Sequence, residues 1–238
     1  MKKLHVFSPR ERPVALLLRE RLAAEGIAAR LTDYSPVGIH ILSSVHPIRL
    51  TGFQDGLFTV QDESSQLAAI FLAPEPGQDV LDLCAAPGGK TTHLAQLMEN
   101  RGTLLACDLD ARKLRRIEET AARLDVSLIE TQCLDASRPL SSLKGRKFNR
   151  ILVDAPCTGL GVIRRNPEAK WRLTPADASR LARLQSSILH NAADLDTTAF
   201  VAHGGWLGWH LARLYPGRPT RVQPIPRRAR HRPRLDRL

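Results

Sequence analysis

Residues 84–91, Cys84-Ala85-Ala86-Pro87-Gly88-Gly89-Lys90-Thr91, are the part of this sequence best suited to chemistry. They follow the apolar run Val80-Leu81-Asp82-Leu83 and lead into a stretch of helical character. A strand that ends in a small-residue turn and opens into a helix presents unpaired backbone N–H groups. These favour the negative or electron-rich parts of a ligand. Three downstream aspartates extend the pattern. Asp108 ends a second apolar run, about 20 residues beyond the turn, where a carboxylate can accept both hydroxyls of a ribose. Asp135 follows a third run and could meet an adenine edge, and Asp154 closes a fourth. Singly, each reads as a helix cap or a solvated loop residue. Together, at successive strand ends on one sheet edge, they point to a nucleotide-like ligand.

Three ligand readings compete at the turn. A phosphate-binding P-loop needs G-x-x-x-x-G-K-[ST], and Gly89-Lys90-Thr91 supplies its end, but Cys84 stands where the first glycine belongs. The dinucleotide fingerprint G-x-G-x-x-G is absent from this turn. S-adenosylmethionine is the third reading, since small residues let the backbone approach its methionine moiety. A glycine turn that holds no ligand is the structural alternative.

The elements that must position these residues read as follows. Residues 14–29 carry Val14, Leu17, Leu18, Leu22 and Ile27 at helical spacing, with Gly26 as a C-terminal cap. Residues 36–60 are short apolar pieces cut by Pro36, Gly38, Pro47, Gly52 and Gly56, which predicts strands and turns. Residues 62–72 predict a helix stopped before Pro74. A strand–helix alternation follows, with strands at 80–83, 104–107, 126–130 and 149–153 and helices at 89–99 and 111–124. This implies a parallel, doubly wound sheet. Thr174-Pro175-Ala176-Asp177 begins a well-capped helix with a stripe of Leu181, Leu184, Ile188, Ala192 and Leu195. Beyond Leu195 the Gly/Trp- and then Arg/Pro-rich sequence lacks periodicity and predicts no further strand–helix unit.

Length and composition set bounds. The 238 residues suit one large domain or a domain with an appendage. No apolar stretch approaches the roughly 18 residues of a membrane span. Arg10, Glu11 and Arg12 interrupt any signal-peptide core after Met1-Lys2-Lys3-Leu4. Cys84, Cys107, Cys133 and Cys157 lack CxxC spacing and read as thiols of a reducing, cytoplasmic compartment, not as disulfides or a zinc site. Cys84, Cys107 and Cys133 read as buried packing residues, and His93 as a surface residue outside any metal set. The net charge of +11 suggests a nucleic-acid partner. However, residues 201–238 hold nine arginines against Asp236, a net +8, so the other 200 residues carry about +3.

Three segments carry a family resemblance: residues 53–66 (Phe53-Gln54-Asp55-Gly56-Leu57-Phe58-Thr59-Val60-Gln61-Asp62-Glu63-Ser64-Ser65-Gln66), residues 82–92, and Asp154-Ala155-Pro156-Cys157-Thr158-Gly159-Leu160-Gly161. Over about residues 10–195 the chain resembles the Sun-type family of bacterial ribosomal RNA (cytosine-5-)-methyltransferases. The resemblance implies a Rossmann-like, S-adenosylmethionine-dependent methyltransferase fold of α/β class, here incomplete, with a small α+β N-terminal remnant. It divides the chain into a partial RNA-recognition-motif-like module (1–60), a methyltransferase domain (61–195) and a divergent Arg/Pro-rich tail (196–238). It implies that Cys84, Ala85, Ala86, Pro87, Gly88, Gly89, Lys90, Asp108, Asp135 and Asp154 hold S-adenosylmethionine. It also implies a 16S ribosomal RNA substrate and a monomer without metal or membrane association.

The implied reaction methylates carbon 5 of cytosine, a poor nucleophile. A thiolate adds to carbon 6, carbon 5 takes the methyl group, a base removes the carbon-5 proton, and the thiolate leaves. Asp154 is placed to meet the ring's N3. Family members carry a Pro-Cys turn, here Pro156-Cys157, that assists product release, and a nucleophile in a Thr-Cys dipeptide ending a fifth strand. This sequence contains no Thr-Cys. Cys157 could serve as the nucleophile by default, as a Pro-Cys turn does in DNA cytosine methyltransferases. The other reading is a non-catalytic RNA- or cofactor-binding fragment. The resemblance also predicts an upstream helical RNA-binding domain that this sequence lacks. Arg164, Arg165, Lys170 and Arg172 would line the RNA side, or form a solvated basic face. The pattern departs from the family at Asp196, and the replacement reads as a shifted reading frame of a GC-rich gene. Loss of the last strands would leave the edge beside the fourth strand unpaired and prone to aggregation.

Overall fold

The computed structural model describes residues 4–7, 12–159, 171, 173–197 and 200–203. In chain order the elements are β1 (Leu4–Phe7), α1 (Arg12–Ala24), β2 (Ala29–Leu31), β3 (Gly38–Ile41), β4 (Thr59–Val60), α2 (Glu63–Leu72), β5 (Asp79–Asp82), α3 (Gly89–Leu97), β6 (Thr103–Asp108), α4 (Ala111–Arg123), β7 (Ile129–Cys133), β8 (Lys147–Phe148), β9 (Arg150–Asp154), α5 (Pro175–Ala193), β10 (Asp196–Thr197) and β11 (Phe200–His203).

Five parallel strands form the main sheet, in the order β11-β9-β5-β6-β7. The central strands are apolar because both faces are covered. Leu81, Leu83, Leu105, Cys107, Ile151 and Val153 face α5, which contributes Ile188, Leu189 and Ala192. Val80, Leu104 and Leu152 face Ala69 and Leu72 of α2 and Leu94, Ala95 and Met98 of the α3 segment. The chain winds outward from β5 through β6 to β7, then returns to β9 on the other side. The order therefore reverses between β5 and β9, and open α/β sheets bind ligands outside the strand carboxyl ends at that point.

Local signals fix the helix ends. Asp110 caps α4 by accepting from the Arg112 N–H (2.9 Å). Thr174 and Asp177 form a reciprocal capping box at α5. Ala73 takes a left-handed conformation after α2, just before Pro74.

A second, antiparallel sheet has the order β2-β3-β1-β4. Ala15, Leu18 and Leu22 of α1 pack with Ile39, Ile41, Leu50 and Phe58 in its core. Arg123 at the end of α4 joins the two sheets. Its Nη1 donates to the carbonyls of Phe53 (2.6 Å) and Phe58 (3.1 Å), and its guanidinium lies 4.1 Å from the centre of the Phe53 ring.

Four sequence expectations need correction. The third strand of the main sheet is Ile129–Cys133, not 126–130, because Asp125 is left-handed and the turn after α4 consumes the next residues. Residues after Leu195 do return to the sheets: β11 pairs in parallel with β9 and β10 with β8. The edge beside β9 is thus covered, which removes the ground for expecting an aggregating edge there. Cys133 is exposed, its thiol donating to the Leu109 carbonyl at 3.4 Å. His93 is fully buried, because α2 covers the face of α3 that its polar sequence suggested was solvated.

Candidate active site

The turn after β5 is built by its neighbours. The Ala85 N–H donates to the Cys107 carbonyl (2.9 Å) and the Gly88 N–H to the Ala85 carbonyl (2.8 Å). The Ala86–Pro87 peptide is cis. Gly88 has φ +99°, and a β-carbon there would lie 2.9 Å from Ile117. Only glycine meets both conditions. α3 then starts with its N-terminus toward an open cleft of about 180 Å³.

Val60, Gln61, Asp62 and Ser65 form one wall of this cleft. Asp82, Cys84, Ala85, Ala86, Pro87, Gly89 and Lys90 form the other, and Asp154 closes it. Of the sequence-predicted residues, the structure therefore brings Cys84, Ala85, Ala86, Pro87, Gly89, Lys90 and Asp154 together. Gly88 supports the turn from behind. Asp108 is tied to the turn directly: its Oδ2 accepts from the Ala86 N–H and its Oδ1 from the Asp110 N–H, both at 3.1 Å. Asp135 stands two residues beyond β7, outside the cleft wall. It accepts from the Ser137 hydroxyl (2.6 Å) and N–H (3.0 Å), bonds that hold its carboxyl below the usual range. Cys157 is exposed beyond β9 and also lies outside the cleft wall.

Charge concentrates where β5 and β9 end. Lys90 Nζ donates to Asp154 Oδ2 in an ion pair shielded mainly on the lysine side. Asp82 is fully buried; Thr91 Oγ1 donates to its Oδ2 at 2.8 Å, while Oδ1 has no hydrogen-bond partner. Burial pushes Asp82 up to about 7, with Asp154 adding to the effect and Thr91 and Lys90 opposing it. A buried acid with an unsatisfied oxygen beside a second carboxylate suits a cationic ligand group or a shared proton. Burial also pushes the Cys84 thiol far up and Cys107 to about 12, which makes both poor nucleophiles. The Pro-Cys turn is held against α5 by Gln185, whose Nε2 donates to the Pro156 carbonyl at 2.7 Å.

Sequence reasoning missed Asp82, Gln61, Ser65 and Gln185 as site residues. The signal for Gln61 and Ser65 was present in the motif at 53–66, but the motif does not reveal that it packs against the turn after β5. Arg164, Arg165, Lys170 and Arg172 lie outside the described residues. Among the described residues no group of three His, Cys, Asp or Glu side chains could hold a metal, and no helix is long and apolar enough to cross a membrane.

Comparison with known proteins matches this arrangement. The chain is 42 % identical over 181 residues to a protein of Bacillus subtilis (strain 168) named probable ribosomal RNA small subunit methyltransferase B, covering 75 % of this chain and 40 % of that one. It is 40 % identical over 181 residues to ribosomal RNA small subunit methyltransferase B of Proteus mirabilis (strain HI4320), covering 76 % and 41 %. The chain thus spans about two-fifths of the length of these relatives. Among solved structures, that of PH0851 superposes with a TM-score of 0.81 at 28 % identity, over 91 % of this chain and 51 % of that one. A methyltransferase homologue from Pyrococcus horikoshii superposes with a TM-score of 0.71 at 26 % identity, over 89 % and 70 %. The fold is thus the Rossmann-like sheet of methyltransferases. The family model for 16S rRNA methyltransferase RsmB/F matches residues 69–207. On that match, and on the site it spans, the chain belongs to the 16S rRNA methyltransferase RsmB/F family.

Proposed function

We propose that this chain is the donor-binding and catalytic part of an S-adenosylmethionine-dependent methyltransferase that modifies carbon 5 of a cytosine in 16S ribosomal RNA. One observation carries the reading: Asp82, Lys90 and Asp154 converge beside the small-residue turn, at the reversal of strand order between β5 and β9. The unsatisfied Oδ1 of Asp82 and the neighbouring Asp154 suit a donor that carries a positive charge. When bound, S-adenosylmethionine supplies an electrophilic methyl group.

The chain's own residues then have these roles. Residues 84–90 hold the donor, with Asp108 at its ribose and Asp135 at its adenine edge. Asp154 meets N3 of the target cytosine, and Lys90 keeps that carboxylate oriented. The thiolate of Cys157 adds to carbon 6, which makes carbon 5 enamine-like. After methyl transfer a base removes the carbon-5 proton and the thiolate departs. Cys157 is the cysteine of the Pro-Cys turn and is exposed, whereas Cys84 and Cys107 are suppressed by burial.

A second reading, a donor- and RNA-binding piece without turnover, is favoured by the absence of a Thr-Cys dipeptide. Methyl transfer from labelled S-adenosylmethionine to unmodified small-subunit RNA separates the two. Incorporation at cytosine carbon 5 supports the enzyme. Donor binding without incorporation supports the second reading, and no donor binding overturns both.

A further inference from the structure

Gln61 is 6 % exposed, and neither its Oε1 nor its Nε2 has a hydrogen-bond partner. Buried amides are nearly always satisfied, so a native protein that keeps both ends open has a partner missing. Gln61 also lines the cleft. It follows β4, the last strand of the antiparallel sheet, and immediately precedes Asp62, the N-cap of α2. Its side chain lies against the first residue of α3 at the cleft edge. A β-carbon on Gly89 would lie 3.7 Å from Gln61 Cγ and 3.9 Å from Nε2. Two helix N-termini therefore converge here: α2, with Asp62 and Ser65 in the wall, and α3, with Gly89 and Lys90. The start of α3, which carries Lys90 and no acidic residue, favours an anion, whereas Asp62 and Glu63 at the start of α2 favour a cation.

We propose that Gln61, with the first turn of α3, binds the α-carboxylate at the amino-acid end of the methyl donor, and that the acidic start of α2 faces its ammonium. This rests on the donor-binding reading above. Asp108, bonded to Ala86 on the β6 side of the turn, marks the ribose end. The opposite side, where Gln61 meets Gly89, is left for the amino-acid end. There the Gln61 Nε2 donates to the carboxylate, and its Oε1 is free to accept from the adjacent ammonium. The donor then bridges the two sheets, because Gln61 arrives from the antiparallel one. Binding should therefore tighten the seam that Arg123 also holds.

The test is calorimetric titration of the full chain with two probes. S-adenosylhomocysteine carries the amino-acid end, and 5′-methylthioadenosine lacks it. Gln61→Leu should weaken S-adenosylhomocysteine by about tenfold or more, as expected for a lost bond to a charged group, and leave 5′-methylthioadenosine unchanged. Gln61→Glu, which keeps the shape and adds a negative charge, should weaken the first probe further. The thermal midpoint of unliganded Gln61→Leu should equal or exceed that of the wild type, since an unsatisfied amide is removed; this separates loss of contact from loss of fold. Equal loss of both probes, or no loss of either, overturns the assignment of Gln61. Failure of the wild type to bind either probe overturns the donor site itself, and this proposal with it.

Discussion

Thr91 donates its hydroxyl to Asp82 Oδ2 at 2.8 Å, which joins the first turn of α3 to the end of β5 and leaves Oδ1 of the same carboxylate open. Burial, against the opposing Thr91 bond, brings Asp82 toward neutral pH. Burial, aided by Asp154, raises it from an ordinary 3.8 to about 7. Between these values the folded chain keeps a proton that the unfolded chain has released. Stability therefore falls as pH rises through this window and levels off above it. Asp82→Asn keeps an oxygen for Thr91 and removes the charge. Its thermal midpoint should exceed the wild type's at pH 8 and vary less between pH 5 and 8. An unaltered pH profile would show that Asp82 does not titrate in that window.

Asp82 also illustrates what was legible in advance. The sequence 80–83 reads plainly as a buried strand, because alternating covers of α3 and α5 demand an apolar run. The turn that follows reads as a ligand site, because its composition is unusual locally. Asp82 itself reads as strand, since its role depends on Lys90, Thr91 and Asp154 reaching the same point. His93 shows the same limit from the other side. Lys90-Thr91-Thr92-His93 looks solvated until α2 is laid over it, and His93 is driven down to about 3 by that burial. Phe200–His203 carries little strand signal, as four residues amid a Gly/Trp- and Arg/Pro-rich stretch. Their strand exists through pairing with β9, a partner remote in sequence.

Lys90 pairs with Asp154 and offsets the repulsion that Asp154 exerts on Asp82. Lys90→Met removes the cation and keeps most of the aliphatic stem. It should cost roughly 1–3 kcal/mol of stability in urea unfolding, because the half-shielded Asp154 loses its adjacent cation. Adding Asp154→Asn should restore part of the loss. Strictly additive effects in this double-mutant cycle would mean that the two side chains do not interact.

Cys157 is the exposed thiol of the Pro-Cys turn, positioned by the Gln185–Pro156 bond. Cys157→Ala should abolish methyl incorporation into ribosomal RNA while leaving donor-analogue binding intact. RNA carrying 5-fluorocytosine should trap a covalent adduct on the wild type, mapping to residue 157 by peptide mass. An adduct that persists in Cys157→Ala would assign the nucleophile elsewhere. Gln185→Leu should slow transfer without abolishing it, since Gln185 acts only through the placement of the turn.

The seam between the sheets gives the last prediction, in which two glycines of similar conformation should differ sharply. Gly26 and Gly56 have φ of +74° and +68°. A methyl group on Gly26 meets open space, so Gly26→Ala should cost only the left-handed backbone penalty of about 1–2 kcal/mol. A methyl group on Gly56 would lie 2.1 Å from the Arg123 carbonyl oxygen, a backbone atom at the end of α4 that cannot swing aside. Gly56→Ala must therefore push the antiparallel sheet away from α4, straining the Arg123 bonds to Phe53 and Phe58. The loss should exceed about 3 kcal/mol, with a broadened unfolding transition as the two sheets separate. Arg123→Ala, which deletes the same bonds without a clash, should fall between the two glycine variants. Equal midpoints for Gly26→Ala and Gly56→Ala would show that the close approach at Arg123 does not hold the sheets together.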